Sequence, residues 1–418
     1  MKTQARLIAF YLPQFHPIPE NDAWWGNGFT EWTNVAKAKP LFKGHYQPRL
    51  PADLGYYDLR LPEVREAQAE LAHSAGIEGF CYYHYWFSGK RLLERPFNEV
   101  LRSGSPGLPF CLCWANQTWT GIWHGAPGRI LMEQGYPGLE DCRRHFLALR
   151  DAFLDPRYIR IDGRPIFVIY RPSEVPDVRR FIEEWQGLAA RSGLSGIHFV
   201  AHLSHAQADW DYRSHGFDSC TIVNTHNVFT VSLRDLLLQN RGNGSRANRG
   251  FSHPAASEGA RKEALWHWSW RKYRSSSGQF SNVRLYRQAL PFLLEGCSEE
   301  PSVYPCVTPN WDNTPRSNVR GYVLHESTPE LFRTHLKNAL HLVQSRTVER
   351  RLVFIKSWNE WAESNYLEPD QRFGHDYLKV VKDEVSVAQS SALPSPRAST
   401  DDAMGAQTGS HASPIAKF

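Results

Sequence analysis

Eight short apolar runs punctuate the chain, and the polar, aromatic segments attached to their ends restrict the fold more than any other feature. The runs are Leu7 to Leu12, Ile77 to Tyr83, Leu108 to Cys113, Pro165 to Tyr170, Ile197 to Leu203, Phe217 to Val223, Val303 to Val307 and Leu352 to Ile355. Each has the length and β-prone content of a buried strand, and most precede a helix-period pattern. Asp58 to Ala75 carries Pro62 in its first turn and is closed by Gly76. Leu139 to Phe153 places apolar residues at three- and four-residue steps. Val175 to Arg191 stops before Gly193, and a helix from Ser327 has Ser327 and Glu330 at capping-box spacing. This alternation predicts an α/β protein with a parallel sheet, a (β/α)8 TIM-type barrel with long βα loops. The alternative is a doubly wound open sheet. Its nucleotide-binding first turn is Gly-rich, whereas the turn after Leu12 reads Pro13, Gln14, Phe15, His16, Pro17.

In such a barrel the chemistry sits at the C-terminal ends of the strands. Here those ends are polar and aromatic: Tyr11, Gln14 and His16, then His84, Tyr85 and Trp86, then Trp114, Asn116 and Trp119, then Arg171, His202, Asn224, and Trp311 with Asp312. The segment after the first run, rich in Trp, Gly and Pro and including Trp32, is too long for a mere connector. The eighth run passes into Trp358, Asn359, Glu360, Trp361, Ala362 and Glu363. A helical turn there puts the two carboxylates on one side. Indole faces suit a pyranose, and their low dielectric can hold one carboxyl protonated near neutral pH. Glu360 and Glu363 are therefore the candidate catalytic pair, and the aromatic and polar strand-end residues are the candidate substrate-binding set. The bland reading is a solvated turn, which the flanking Trp, Asn and Trp disfavour.

Aromatic content is high, with 15 Trp, 17 Tyr and 22 Phe, many beside His, Asn or Asp as in a carbohydrate groove. The net charge of +5 is small for 418 residues and names no anionic partner. Seven Cys without a CxxC pair indicate core thiols and a reducing compartment. The first residues break at Pro13 and carry Gln14 and His16, unlike a signal peptide. No stretch approaches the ~20 apolar residues of a membrane span, so the expected location is cytoplasmic, with room for peripheral membrane association. Residues 225–300 form an atypical insertion between strands six and seven. Asn240 to Gly259 reads as a mobile loop, and Leu265 to Arg274 as a basic-aromatic segment suited to a lid, an acceptor wall or packing on the barrel rather than to nucleic acid. Residues 1–385 are expected to form the catalytic domain and 386–418 a disordered tail.

Several stretches resemble a known family: Phe10 to Val35, beginning FYLPQFHPIPEND; GHYQPRLPADLGYYD from Gly44; Gly79 to Pro96; CWAN from Cys113; TPNWDNT from Thr308; and Trp358 to Asp370. They are similar to the WbsX-type proteins, glycoside hydrolase family 99-like domains found with bacterial surface-polysaccharide and O-antigen genes. The resemblance implies a (β/α)8 barrel and, through related endo-α-mannosidases, a Glu-Trp-X-Glu pair matched by Glu360 to Glu363. Glu360 would then deprotonate the sugar 2-hydroxyl, which attacks its own anomeric carbon, and Glu363 would be the general acid/base, giving retention. The chain departs from the family after Asn116. Gln117, Thr118, Trp119, Gly121, Ile122, Trp123, His124 and Gly125 replace a segment with a carboxylate and two cations, which implies a different substrate if those groups bind charge.

Three functions stay open on the residues alone. One is a retaining hydrolase or transglycosylase acting on an α-linked oligosaccharide or polysaccharide. The second is a glycosyltransferase of O-antigen or lipopolysaccharide assembly, although no Asp-X-Asp or Gly-rich phosphate loop is present. The third is a non-catalytic glycan-binding barrel. No cofactor is expected. His16, His84 and His202 lack metal-motif spacing and are read as hydroxyl-binding groups.

Overall fold

The structure is a computed structural model that describes residues 5–121, 126–204, 207, 210–225, 227–229 and 282–385. The segments Asn240 to Gly259 and Leu265 to Arg274, Ile122 to Gly125 of the third-strand loop, and the tail from residue 386 lie outside the described residues.

Eight parallel strands close into a barrel. They are β1 (Arg6–Tyr11), β2 (Gly79–Phe87), β3 (Phe110–Trp114), β4 (Arg164–Ile169), β5 (His198–Leu203), β6 (Ser219–Ile222), β7 (Val303–Val307) and β8 (Leu352–Ile355). Neighbours in space are neighbours in sequence. β1 pairs with β8 through Arg6 and Leu352 and with β2 through Ile8 and Gly79, so the ring has no edge and the open-sheet alternative is excluded.

Helices cover the outside: α1 (Pro62–Ser74), α2 (Arg95–Ser103), α3 (Leu139–Leu154), α4 (Val178–Arg191), α5 (Tyr286–Leu293), α6 (Pro329–Val343) and α7 (Asp376–Glu384). Pro62 starts α1 where its missing N–H costs nothing. Asp177 caps α4 by accepting from Arg180 N–H. The cap of α6 is Thr328, which accepts from Leu331 N–H. Ser327, expected in that role, instead donates to Leu324 C=O and belongs to the preceding turn.

Both faces of each strand are buried, and ring contacts tell inside from outside. Phe10 of β1 meets Tyr83 of β2 at 5.6 Å, His202 of β5 at 5.9 Å and Phe354 of β8 at 5.3 Å. Strands so far apart in the ring can share contacts only through the barrel lumen. Residues of the other parity face the helices: Phe167 packs on Trp185 of α4 at 4.7 Å, and Tyr11 donates to Gln68 of α1. All seven cysteines are buried thiols. Among the described residues no helix is long and apolar enough to cross a membrane.

β2 begins at Gly79 because β3's approach leaves no room for a side chain. A Cβ at that position would lie 2.1 Å from Pro109 O and 2.7 Å from its carbonyl carbon. The obstacle is backbone, held by Phe80 N–H donating to Pro109 C=O at 3.0 Å. Gly79→Ala is expected to destabilise the fold by about 3 kcal/mol, read as a lowered urea midpoint at unchanged slope.

Candidate active site

The acid pair is built by the chain that leaves β8. Lys356 continues the inward parity of Phe354. The chain then folds back as a two-residue ladder, Asn359–Glu360 against Asn365–Tyr366, joined by a 3-10 turn at Trp361–Glu363. Glu360 ends the first strand of the ladder and Glu363 ends the turn, and this tight reversal leaves both facing one cavity. Ser364 closes the turn at φ 47°, and its hydroxyl accepts from Gln47 Nε2 at 2.8 Å.

Beneath the turn lies a pedestal. Trp361 stacks on Tyr366 with centroids 3.8 Å apart and donates Nε1–H to Glu368 at 2.5 Å. Glu368 also accepts from Tyr57 OH at 2.9 Å and Gln68 Nε2 at 2.6 Å, and burial raises its pKa to about 7 against these donors. Asn359 clips β1 to β8, accepting from Leu12 N–H at 2.8 Å and donating to Leu12 C=O at 3.1 Å.

Both carboxylates line a cavity of about 500 Å³ at the C-terminal mouth of the barrel. Its aromatic walls are Trp25, Phe29, Tyr83, Tyr85, Trp119, Tyr170 and Trp311, and its cations are Arg171, Arg316 and Lys356. Glu360 is 5% exposed and Glu363 8%. Burial pushes the pKa of Glu360 up, but the Lys356 and Arg316 charges and a hydrogen bond from Ser357 Oγ outweigh it and hold this carboxyl below its ordinary range. Lys356 Nζ stands 3.2 Å from Glu360 Oε2, Ser357 Oγ donates to the same oxygen at 2.8 Å, and Lys356 also donates to Tyr83 OH at 3.1 Å. Burial lowers the proton affinity of Lys356, yet Glu360 and its other neighbours raise it well above the ordinary amine range.

Glu363 is the opposite case. Burial and the adjacent Glu360 charge raise its pKa to about 7, against the pull of Arg316 and Lys356. Arg316 Nη1 contacts Glu363 Oε1 at 2.6 Å, and its other side contacts Glu31. The pair thus offers one carboxyl held ionised and one whose proton is held more tightly, the division expected of a base and an acid in one site.

Of the residues singled out from the sequence, Gln14, Tyr85, Trp119, His202, Trp311, Glu360 and Glu363 line this cavity. Burial drops the His202 pKa to about 3, so its imidazole is neutral. Arg171 lines the cavity as well, and the others sit elsewhere. His84 contacts His145 of α3 at 2.8 Å, and Trp86 donates to Asp141 of α3. Trp114 stacks on Phe181 of α4, and Asn116 bonds Tyr136 OH and the backbone of Arg171. These are the outward-parity partners of Tyr83, Tyr85 and Ala115, which do face the cavity. Tyr11 points at α1 for the same reason. Trp32 donates to Tyr57 C=O, Trp358 packs on Phe80, and Asn359 and Trp361 belong to the pedestal. Asp312 is bound by His45 at 2.7 Å, Gln47 at 2.7 Å and Thr314. His16 is buried and does not line the cavity, so the three histidines do not share a site.

Glu31, Tyr83, Tyr170, Arg316 and Lys356 also line the cavity and were not singled out from the sequence. Lys356 had a signal, a cation placed directly after a buried apolar run. Asn21 and Asn34, from the two short helices of the first loop, line it too, and among the described residues neither Asn21 amide atom has a partner.

A family model described as Glycosyltransferase WbsX matches residues 7–381. Proteins from two strains of Xanthomonas campestris pv. campestris, each described as "Uncharacterized protein WxcX", are 37% identical over 388 residues, 92% of this chain and 50% of each relative. The chain thus spans about half the length of the curated relatives it matches. Among solved structures, a "Glycoside hydrolase-like protein" aligns with a TM-score of 0.55 at 15% identity, covering 92% of this chain and 95% of that one. The GH99 endo-alpha-mannosidase from Bacteroides thetaiotaomicron aligns with a TM-score of 0.46 at 14% identity over 91% and 94% of the two chains.

Removing one member of a buried ion pair leaves the other uncompensated. Lys356→Met should therefore cost about 3 to 5 kcal/mol of stability. Adding Glu360→Gln to it should recover most of that loss. A double-mutant cycle of denaturation midpoints checks the coupling, and two purely additive losses would contradict it.

Proposed function

The chain belongs to the WbsX glycosyltransferase family, and from that premise we propose that it is a carbohydrate-active enzyme of surface-polysaccharide metabolism that cleaves or transfers an α-linked glycosyl unit with retention. The observation that carries this reading is the pair Glu360 and Glu363, buried on one aromatic-walled cavity and pushed in opposite directions by their surroundings.

The proposed chemistry assigns each group one proton. Glu363, protonated, gives its proton to the glycosidic oxygen as the bond to the anomeric carbon breaks. Glu360, ionised, takes the proton of the sugar 2-hydroxyl as that oxygen closes on the anomeric carbon from the opposite face. In the second half Glu363, now a carboxylate, deprotonates the incoming hydroxyl, which opens the anhydro ring, and Glu360 returns its proton to the 2-oxygen. Lys356 and Ser357 keep Glu360 ionised and aimed, and the aromatic walls hold the ring while excluding water.

Hydrolysis and transfer differ only in whether water or a sugar hydroxyl arrives in the second half, and the family's description favours transfer. A barrel that only binds glycan has no need of a proton donor, and the raised Glu363 supports chemistry over binding alone.

Purified protein incubated with surface polysaccharide from its source, with and without nucleotide-sugar or lipid-linked donors, separates these readings. Shortened products indicate cleavage, and products lengthened only with donor indicate transfer. Binding without turnover would refute an enzyme. Glu363→Gln should lower turnover about 100-fold or more while binding persists. A substrate lacking the 2-hydroxyl should not react, and normal turnover of it would rule out the anhydro route. The rate should also fall as pH rises through about 7, where Glu363 loses its proton, and at low pH as Glu360 becomes protonated.

A further inference from the structure

Arg316 is shared between two carboxylates. Its Nη1 meets Glu363 Oε1 at 2.6 Å. Its Nη2 meets Glu31 Oε2 at 3.0 Å, and its Nε donates to the same oxygen at 3.2 Å. The side chains of Glu31, Arg316 and Glu363 are 4%, 12% and 11% exposed, so solvent screens these charges little. The three come from far-apart segments: the loop after β1, the short helix Thr314–Ser317 after β7, and the turn after β8.

Glu31 is held firmly. It opens the short helix Glu31–Ala36, its N–H donates to Gln14 C=O at 3.1 Å, and the adjacent Trp32 packs against Trp361 at 5.5 Å, so this helix rests on the turn that carries Glu363. A guanidinium with donors on two edges can serve two acceptors at once, and here the Glu31 side takes two donors and the Glu363 side one.

We propose that Glu31 is a positioning residue of the active site: it draws the charge of Arg316 toward itself, leaving Glu363 oriented by Arg316 but still able to carry a proton. This inference rests on the reading of Glu363 as proton donor. Without Glu31, Arg316 would be an ordinary counter-ion facing Glu363, and such a cation fixes a carboxylate in its ionised form. The other groups around Glu363 are Glu360 on its own turn, Lys356 at the end of β8, Tyr83 of β2 and Tyr170 after β4. Burial and Glu360 do most to keep the proton on Glu363, Arg316 and Lys356 oppose them, and Glu31 adds a smaller push in the same direction as Glu360. Glu31 acts through Arg316, whose guanidinium gives it two of the three donor contacts.

The test needs no substrate. Protein labelled with carbon-13 at the glutamate carboxyl carbon is titrated by NMR, and the Glu363 resonance is assigned as the one lost in Glu363→Gln. In the unaltered protein its midpoint is expected near 7. In Glu31→Gln, nearly unchanged in volume, it should fall by about one unit. Glu31→Asp keeps the charge and should keep most of the raised midpoint, an outcome that a packing role for Glu31 does not produce. A midpoint near 7 in both the unaltered protein and Glu31→Gln would overturn the role of Glu31 and leave the proposed function standing. A midpoint in the ordinary carboxylate range in the unaltered protein would overturn both.

Discussion

An ionised glutamate buried at the mouth of a barrel must be compensated on the spot, because the desolvation of one carboxylate costs several kcal/mol. Lys356 supplies that compensation for Glu360, and much of the local architecture depends on where the lysine must stand. It occupies the inward position two residues past Phe354, its ammonium beside Glu360 and the ring of Tyr83 with Tyr170 and Trp311 near it. The chain has to double back within four residues for Glu360 to reach it. The ladder and 3-10 turn that follow Glu360 then set Glu363 beside it. One carboxyl takes the compensating ammonium, and the other is left with burial, a like charge and the Arg316 guanidinium it shares with Glu31.

The barrel was legible because its evidence is long-range and repeated: eight runs, helical spacing between most of them, and polar aromatic residues after them. The acid pair was legible because charge next to indole is rare. The lining of the site was not, and the reason lies in the architecture. Strands with both faces buried read as continuous apolar runs, with no alternation to mark the lumen. The run through Tyr83, His84, Tyr85 and Trp86 therefore looks uniformly suited to a sugar. In the folded chain the two tyrosines face the cavity, and the histidine and tryptophan meet α3. Loop cations pose a different problem. Arg316 acquires its meaning only when the segments after β1 and β8 come together, and nothing in its immediate neighbours announces that.

The support of the acid pair is unevenly distributed around the ring. Asn359, Glu368, Trp361, Tyr57 and Gln68 tie β1, α1 and β8 into one hydrogen-bonded block, and Asp312, held by His45 and Gln47, joins the segment after β7 to it. The geometry of the acid pair thus rests on one side of the barrel. Ser204, Gln207, Val223 and Thr225, from the ends of β5 and β6, also line the cavity and take no part in that block.

This asymmetry bears on how such a scaffold could diversify. Under the function proposed above, substitutions on the β5 and β6 rim would alter which ring or linkage fits without disturbing the acid pair, whereas a change in the pedestal would disturb it at once. Descendants of one ancestral barrel could therefore inherit a single reaction and apply it to many glycans, with novelty accumulating along one arc of the rim and constancy along the other.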